Sequence, residues 1–121
     1  MERKYRELVR RMDQPRGEVI NLTRENFNQV INSGSPVLVD FWAEWCGPCR
    51  AMHPIFMRLN EKYGSRMVFA RLNTDESPEI PVRYQIFSIP TFILFSDGKP
   101  VERVVGAVGE KALEEVILRH L

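Results

Sequence analysis

The chain is 121 residues long, 44% hydrophobic and 27% charged, the profile of a single soluble globular domain that buries about two-thirds of its unfolded surface. A formal net charge of +1 leaves no whole-domain electrostatic basis for holding nucleic acid. No stretch reaches the roughly 20 apolar residues needed to cross a bilayer. The start, MERKYRELVRRMDQPRG, has no secretory apolar core, and Glu2, Glu7 and Asp13 interrupt its bases, unlike an acid-poor transit peptide. A cytoplasmic chain is expected, with no membrane partner.

In that first segment Met1, Tyr5, Leu8, Val9 and Met12 fall in a helical stripe with bases on the other faces, ended by Pro15 and Gly17. Residues 1–17 are therefore expected to be an amphipathic helical extension, packed on the domain that follows over 18–121. EVINL (Glu18 to Leu22) reads as a short strand, and Thr23 is placed to cap a helix carrying Phe27, Val30 and Ile31. After the turn NSGSP comes VLVDFWA (Val37 to Ala43), an apolar run of the kind buried on both faces of a sheet, interrupted by one acid, Asp40.

Met52, Ile55, Phe56 and Leu59 then repeat at helical spacing up to Tyr63-Gly64, with Pro54 expected to kink the helix. RMVFARL (Arg66 to Leu72) is the next strand, and Ser77-Pro78 opens a short helix holding the apolar residues Ile80, Val82 and Tyr84. IPTFILF and VERVVGA flank SDGKP, whose Asp97-Gly98 is a strong hairpin signal. GEKALEEVILRHL closes the chain as an amphipathic helix through Ala112, Leu113, Val116, Ile117 and Leu121. Strands separated by helices imply parallel crossovers, and the final hairpin adds an antiparallel pair. The expected class is α/β, a three-layer α/β/α sandwich around a mixed sheet.

The only two cysteines, Cys46 and Cys49, lie three positions apart in WCGPC. A loop closed over two residues removes little chain entropy, so a structural staple is a weak reading. A zinc site needs about four ligands, and Cys46, Cys49, His53 and a distant His120 make a poor set. Haem attachment fails because Arg50 follows the second cysteine. Disulfide exchange needs a thiolate. Cys46 follows a strand and precedes a helix with Pro48 in its first turn, so its sulfur can face free backbone N–H groups and the positive end of the dipole. Cys49, one turn on, can attack a mixed disulfide formed at Cys46.

These residues resemble the thioredoxin family. The similarity runs from about Glu18 to the C-terminus and is densest in VLVDFWAEWCGPCRAMHPIF, ARLNTD and SIPTFILFSDGKPVERVVGA. It implies the thioredoxin fold and a protein-disulfide oxidoreductase: a reductase of protein disulfides in which Cys46 attacks and Cys49 resolves. The same resemblance makes Asp40 the buried acid that helps deprotonate Cys49. Pro90 becomes a cis-proline facing the disulfide, and Ile89 a backbone partner for bound peptide. It further implies that Trp45, Gly47, Pro48, Ile89, Pro90, Val105 and Gly106 form an apolar docking surface around an exposed sulfur, with Trp42 packed beneath the loop.

The implied partners are disulfide-containing proteins and thioredoxin reductase or an equivalent donor, with the chain a monomer and no cofactor of its own, since no Gly-rich dinucleotide fingerprint is present. Departures from the family pattern are Arg71, where a lysine is common and where a permanent charge is expected to hold Asp40 ionised, together with Ser88 and Thr74 on the docking rim. His53 has no family role. An oxidase or isomerase of the same fold, or a non-enzymatic binding subunit, are the alternatives.

Overall fold

Strand β1 (Ile20–Leu22) opens the part of the chain described by the computed structural model, residues 18–121; the helical extension expected over 1–17 lies outside it. Then follow helix α1 (Phe27–Ile31), β2 (Val37–Trp42), α2 (Gly47–Tyr63), β3 (Val68–Asn73), α3 (Glu79–Arg83), the hairpin of β4 (Thr91–Ser96) with β5 (Lys99–Val105), and α4 (Glu110–Leu118). The five strands form one sheet in the order β1-β3-β2-β4-β5. β3 runs parallel to β1 and β2, while β4 is antiparallel to β2 and β5. This is the expected mixed sheet, and its helices lie on both faces.

Side-chain alternation along the strands divides the core in two. Val37, Val39 and Phe41 of β2, with Val68, Ala70 and Leu72 of β3 and Ile93 and Phe95 of β4, meet Phe27, Ile31 and Ile80 from α1 and α3. Leu38, Phe69, Phe92 and Leu94 point the other way, onto Met52, Phe56 and Leu59 of α2 and Leu113, Val116 and Ile117 of α4. The same parity sends Asp40 and Trp42 of β2 and Arg71 of β3 to the α2 face, and Asp40 stands directly opposite Arg71 in the parallel register. Ion pairs Arg58–Glu110 (2.8 Å) and Lys62–Glu114 (2.7 Å) join α2 to α4 at their exposed edges. They orient the helices and contribute little to stability.

Several local expectations are revised. Thr23 does not cap α1 with its hydroxyl. Asn26 is the N-cap, its Oδ1 accepts from the Thr23 N–H at 2.7 Å, and the Thr23 carbonyl accepts from the Phe27 N–H at 3.0 Å. In α3, Pro81 takes the inward place beside Ile80, while Val82 is 76% exposed. Ala112 and Leu121 of the closing segment are exposed, and the buried apolar residues of α4 are Leu113, Val116 and Ile117. α2 carries through Pro54 to Gly64, whose N–H caps the Asn60 carbonyl at 2.7 Å. The β4–β5 turn is as expected, with Asp97 (φ 52°) and Gly98 (φ 79°) both left-handed, the geometry an Asp-Gly hairpin demands.

Candidate active site

β2 delivers the chain to the cysteines. Beyond Trp42, the Cys46 N–H turns back to the Ala43 carbonyl at 3.2 Å, and Cys46 becomes the N-cap of α2 in an extended conformation (φ −87°, ψ 107°) with Pro48 in the first turn. Its sulfur occupies the place of an N-cap oxygen and accepts the Cys49 N–H at 3.2 Å. Cys46 and Cys49 are joined as a disulfide, with their Cα atoms 5.2 Å apart. In the reduced form the same N–H and the dipole of a 17-residue helix with no acid in its first turn favour the Cys46 thiolate.

The sulfur is less open than the sequence reading implies. Bonded to Cys49 and backed by Ala43, Trp42 and Ile89, Cys46 is only 3% exposed. Around it Trp45, Gly47 and Pro48 are all exposed. Trp45 is held in that position because its indole N–H donates to Asp75 Oδ2 at 2.9 Å, and Asp75 is itself fixed through its N–H to Asn73 Oδ1 at 2.9 Å. Sequence reasoning misses Asp75; a charged residue in the turn after β3 gives no local sign that it will meet a tryptophan 30 positions upstream.

Across the disulfide lies the loop before β4. The Ile89–Pro90 peptide is cis, and the Ile89 carbonyl oxygen is 3.7 Å from Cys46 Sγ. The Gly106 N–H donates to the Pro90 carbonyl at 2.8 Å, which brings Gly106 and the half-exposed Val105 alongside Pro90. Thr91 Oγ1 donates to the Ser88 carbonyl at 2.6 Å. The structure thus gathers Trp45, Gly47, Pro48, Ile89, Pro90, Val105 and Gly106 around one disulfide. Thr74 instead spends its hydroxyl and N–H on the Trp42 carbonyl (3.3 and 2.9 Å), which ties the end of β2 to the turn after β3.

Asp40 is fully buried on the α2 face of the sheet. Its Oδ2 accepts from Arg71 Nε at 3.2 Å, and Oδ1 has no hydrogen-bond partner among the described residues. The Arg71 guanidinium also lies over the Trp42 ring, 4.1 Å from its centroid. Arg71 acts in the direction the sequence suggested, favouring the charged acid. Burial pushes the Asp40 carboxyl up to about 6, and the charge and hydrogen bond of Arg71 offset only part of that.

His53 lies one turn past Cys49 with its Nδ1 buried and without a hydrogen-bond partner among the described residues. Burial, then the Arg71 charge, lowers its basicity. His120 belongs to a different place, its Nε2 2.8 Å from Glu102 Oε2.

Comparison with known proteins agrees with this geometry. A family model described as thioredoxin matches residues 18–119. A thioredoxin of Alicyclobacillus acidocaldarius subsp. acidocaldarius is 46% identical over 95 residues, covering 78% of this chain and 90% of that protein. A chloroplastic thioredoxin of Arabidopsis thaliana is 45% identical over 105 residues, covering 86% of this chain and 54% of that protein. Among solved structures, a thioredoxin of Malassezia sympodialis is similar with a TM-score of 0.82 at 34% identity, covering 88% of this chain and 94% of that one.

Proposed function

The chain belongs to the thioredoxin family and is a protein-disulfide oxidoreductase that carries electrons as a dithiol, and on that premise we propose that it works as a reductant of protein disulfides with Cys46 attacking and Cys49 resolving. The observation that carries this reading is the Cys46 sulfur at the N-cap of α2, accepting the Cys49 N–H.

In the first step the Cys46 thiolate attacks one sulfur of the partner's disulfide, forming a mixed disulfide and releasing one partner thiolate. In the second the Cys49 thiolate attacks Cys46 Sγ, forming the Cys46–Cys49 bond and releasing the second partner sulfur. Two electrons pass to the partner, and the released thiolates take up protons. Asp40, pushed up to about 6, is mostly ionised at neutral pH and is matched to accept the Cys49 proton. Arg71 is the positioning residue that orients Asp40 Oδ2.

Docking uses the rim described above, with the cis-Pro90 loop lying along the bound peptide and Ile89 offering its backbone. The active unit is the thioredoxin domain over 18–121, with 1–17 appended. It acts as a monomer in the cytoplasm and is re-reduced by thioredoxin reductase or an equivalent donor. No helix among the described residues is long and apolar enough to cross a membrane.

Substitution separates the roles. Cys46→Ser is expected to abolish reduction of a protein disulfide, and Cys49→Ser to accumulate covalent mixed disulfides that dithiothreitol releases. Free turnover by Cys49→Ser would overturn the assignment.

A further inference from the structure

Six of the seven phenylalanines in this chain are completely buried; the seventh, Phe87, is 92% exposed. It sits in the loop between α3 and β4, two residues before Ile89, whose carbonyl oxygen is 3.7 Å from Cys46 Sγ. Building on the reductant reading above, we propose that Phe87 extends the docking surface and makes the chain selective for partners that carry a large apolar side chain two or three residues from the attacked cysteine.

The loop is built to present that ring. Arg103 of β5 donates from Nη1 to the Gln85 carbonyl at 3.4 Å and from Nη2 to the Tyr84 carbonyl. The Ile86 N–H donates to the Pro81 carbonyl at 2.9 Å. At the far end Thr91 holds the Ser88 carbonyl and Gly106 the Pro90 carbonyl. Gln85, left-handed at φ 55°, turns the chain so that Ile86 packs onto the core and Phe87 points into solvent. A ring on a backbone fixed at both ends needs little further ordering when it is covered, so little of the contact energy is lost to entropy.

Reach sets the position of the partner's side chain. Two residues of extended chain span at most about 7 Å, which bounds the distance from Phe87 to Ile89 along the backbone. A partner segment bonded to Cys46 and running extended past Ile89 advances about 3.3 Å per residue. For a segment that runs from Ile89 toward Phe87, the second or third residue from the attacked cysteine is then the one within reach of the ring. The rim around the disulfide carries other exposed large apolar residues, Trp45 at 68% and Val105 at 52%, and aromatic side chains, phenylalanine among them, are enriched at protein interfaces. Polar residues at the same place in a partner gain nothing from the ring.

The test uses two synthetic peptides with one intramolecular disulfide each, identical except for Leu or Ser two residues from the first cysteine on both sides. The chain is reduced with dithiothreitol, freed of it, and followed by stopped-flow tryptophan fluorescence, and the readout is the ratio of second-order rate constants, Leu peptide over Ser peptide, within each protein. The wild type is expected to favour the Leu peptide about 10-fold. Phe87→Ser is expected to bring the ratio within about twofold of one, and Phe87→Leu to keep most of the preference. A wild-type ratio near one, or a Phe87→Ser ratio unchanged from wild type, overturns the proposal. Bis(2-hydroxyethyl) disulfide, too small to reach Phe87, is run with the wild type. Failure to react with it as well as with both peptides would overturn the reductant reading itself, and this proposal with it, whereas reaction without peptide preference overturns only the role of Phe87.

Discussion

Asp40→Asn is expected to make the protein more stable at neutral pH, by an amount that shrinks as the pH falls. Burial raises the Asp40 carboxyl from 3.8 to about 6 in the folded chain, so between those values the folded state holds a proton that the unfolded chain has released. The linkage sign is then the reverse of the usual one for a carboxylate. Below 3.8 both states are protonated and there is no effect; as pH rises through the window folding is progressively opposed; above about 6 the penalty is complete. At about 1.4 kcal/mol per pH unit, the gap between 3.8 and about 6 amounts to about 3 kcal/mol.

Asn mimics the protonated acid and keeps an oxygen for Arg71. Between pH 4 and pH 7.5 the stability advantage of Asp40→Asn over wild type should grow by about 2 kcal/mol. Urea denaturation of both oxidised proteins at half-unit pH intervals, extrapolated linearly to water, reads this directly. Groups that titrate alike in both proteins cancel in the comparison. An advantage that changes by less than about 1 kcal/mol across that range would mean that Asp40 titrates close to its ordinary value and that Arg71, not burial, governs it.

Two further substitutions probe the scaffold. Gly98→Ala is expected to cost about 2 kcal/mol, because the residue sits at φ +79° and a Cβ there would lie 2.1 Å from Asn32 Oδ1, on a side chain already committed through Nδ2 to the Asn28 carbonyl at 2.7 Å. An unchanged melting temperature would refute that reading of the turn. Asn60 is buried in α2 with neither its Oδ1 nor its Nδ2 paired among the described residues. Asn60→Leu should therefore raise the urea midpoint, by about 1–2 kcal/mol of stability, with the slope unchanged; a lower midpoint would show that the amide has a partner of its own.

Much of this is legible in the residues themselves. WCGPC after a buried strand and ahead of an apolar-striped helix fixes the sulfur at a helix start, and a lone acid inside the apolar run VLVDFWA announces a buried carboxyl. Less can be read where the answer depends on pairing between distant strands. That Arg71 stands against Asp40 is carried by the family resemblance and has its physical basis in the parallel register of β2 with β3, and that burial outweighs its charge follows from how fully the sheet and α2 enclose the acid.

Neither is a property of local sequence. Thr23 departs from expectation for a simpler reason: α1 begins one turn later than the threonine. In a five-residue helix such as α3 the apolar pattern is too short to fix which face turns inward. Phe87 carries no local mark in a sequence where phenylalanine otherwise means core. Its exposure is set by the left-handed turn at Gln85 and the Arg103 contacts, which join parts of the chain 18 and 19 residues apart.

The most direct test of the chain as a reductant of disulfides is the reduction potential of the Cys46–Cys49 couple, equilibrated against glutathione and dithiothreitol mixtures. A carrier whose electrons flow to protein disulfides gives a value within the roughly −220 to −320 mV span of the cytosolic glutathione poise or below it. A value near the roughly −120 to −180 mV of oxidants and isomerases would contradict it and send the electrons the other way, from folding substrates into Cys46–Cys49.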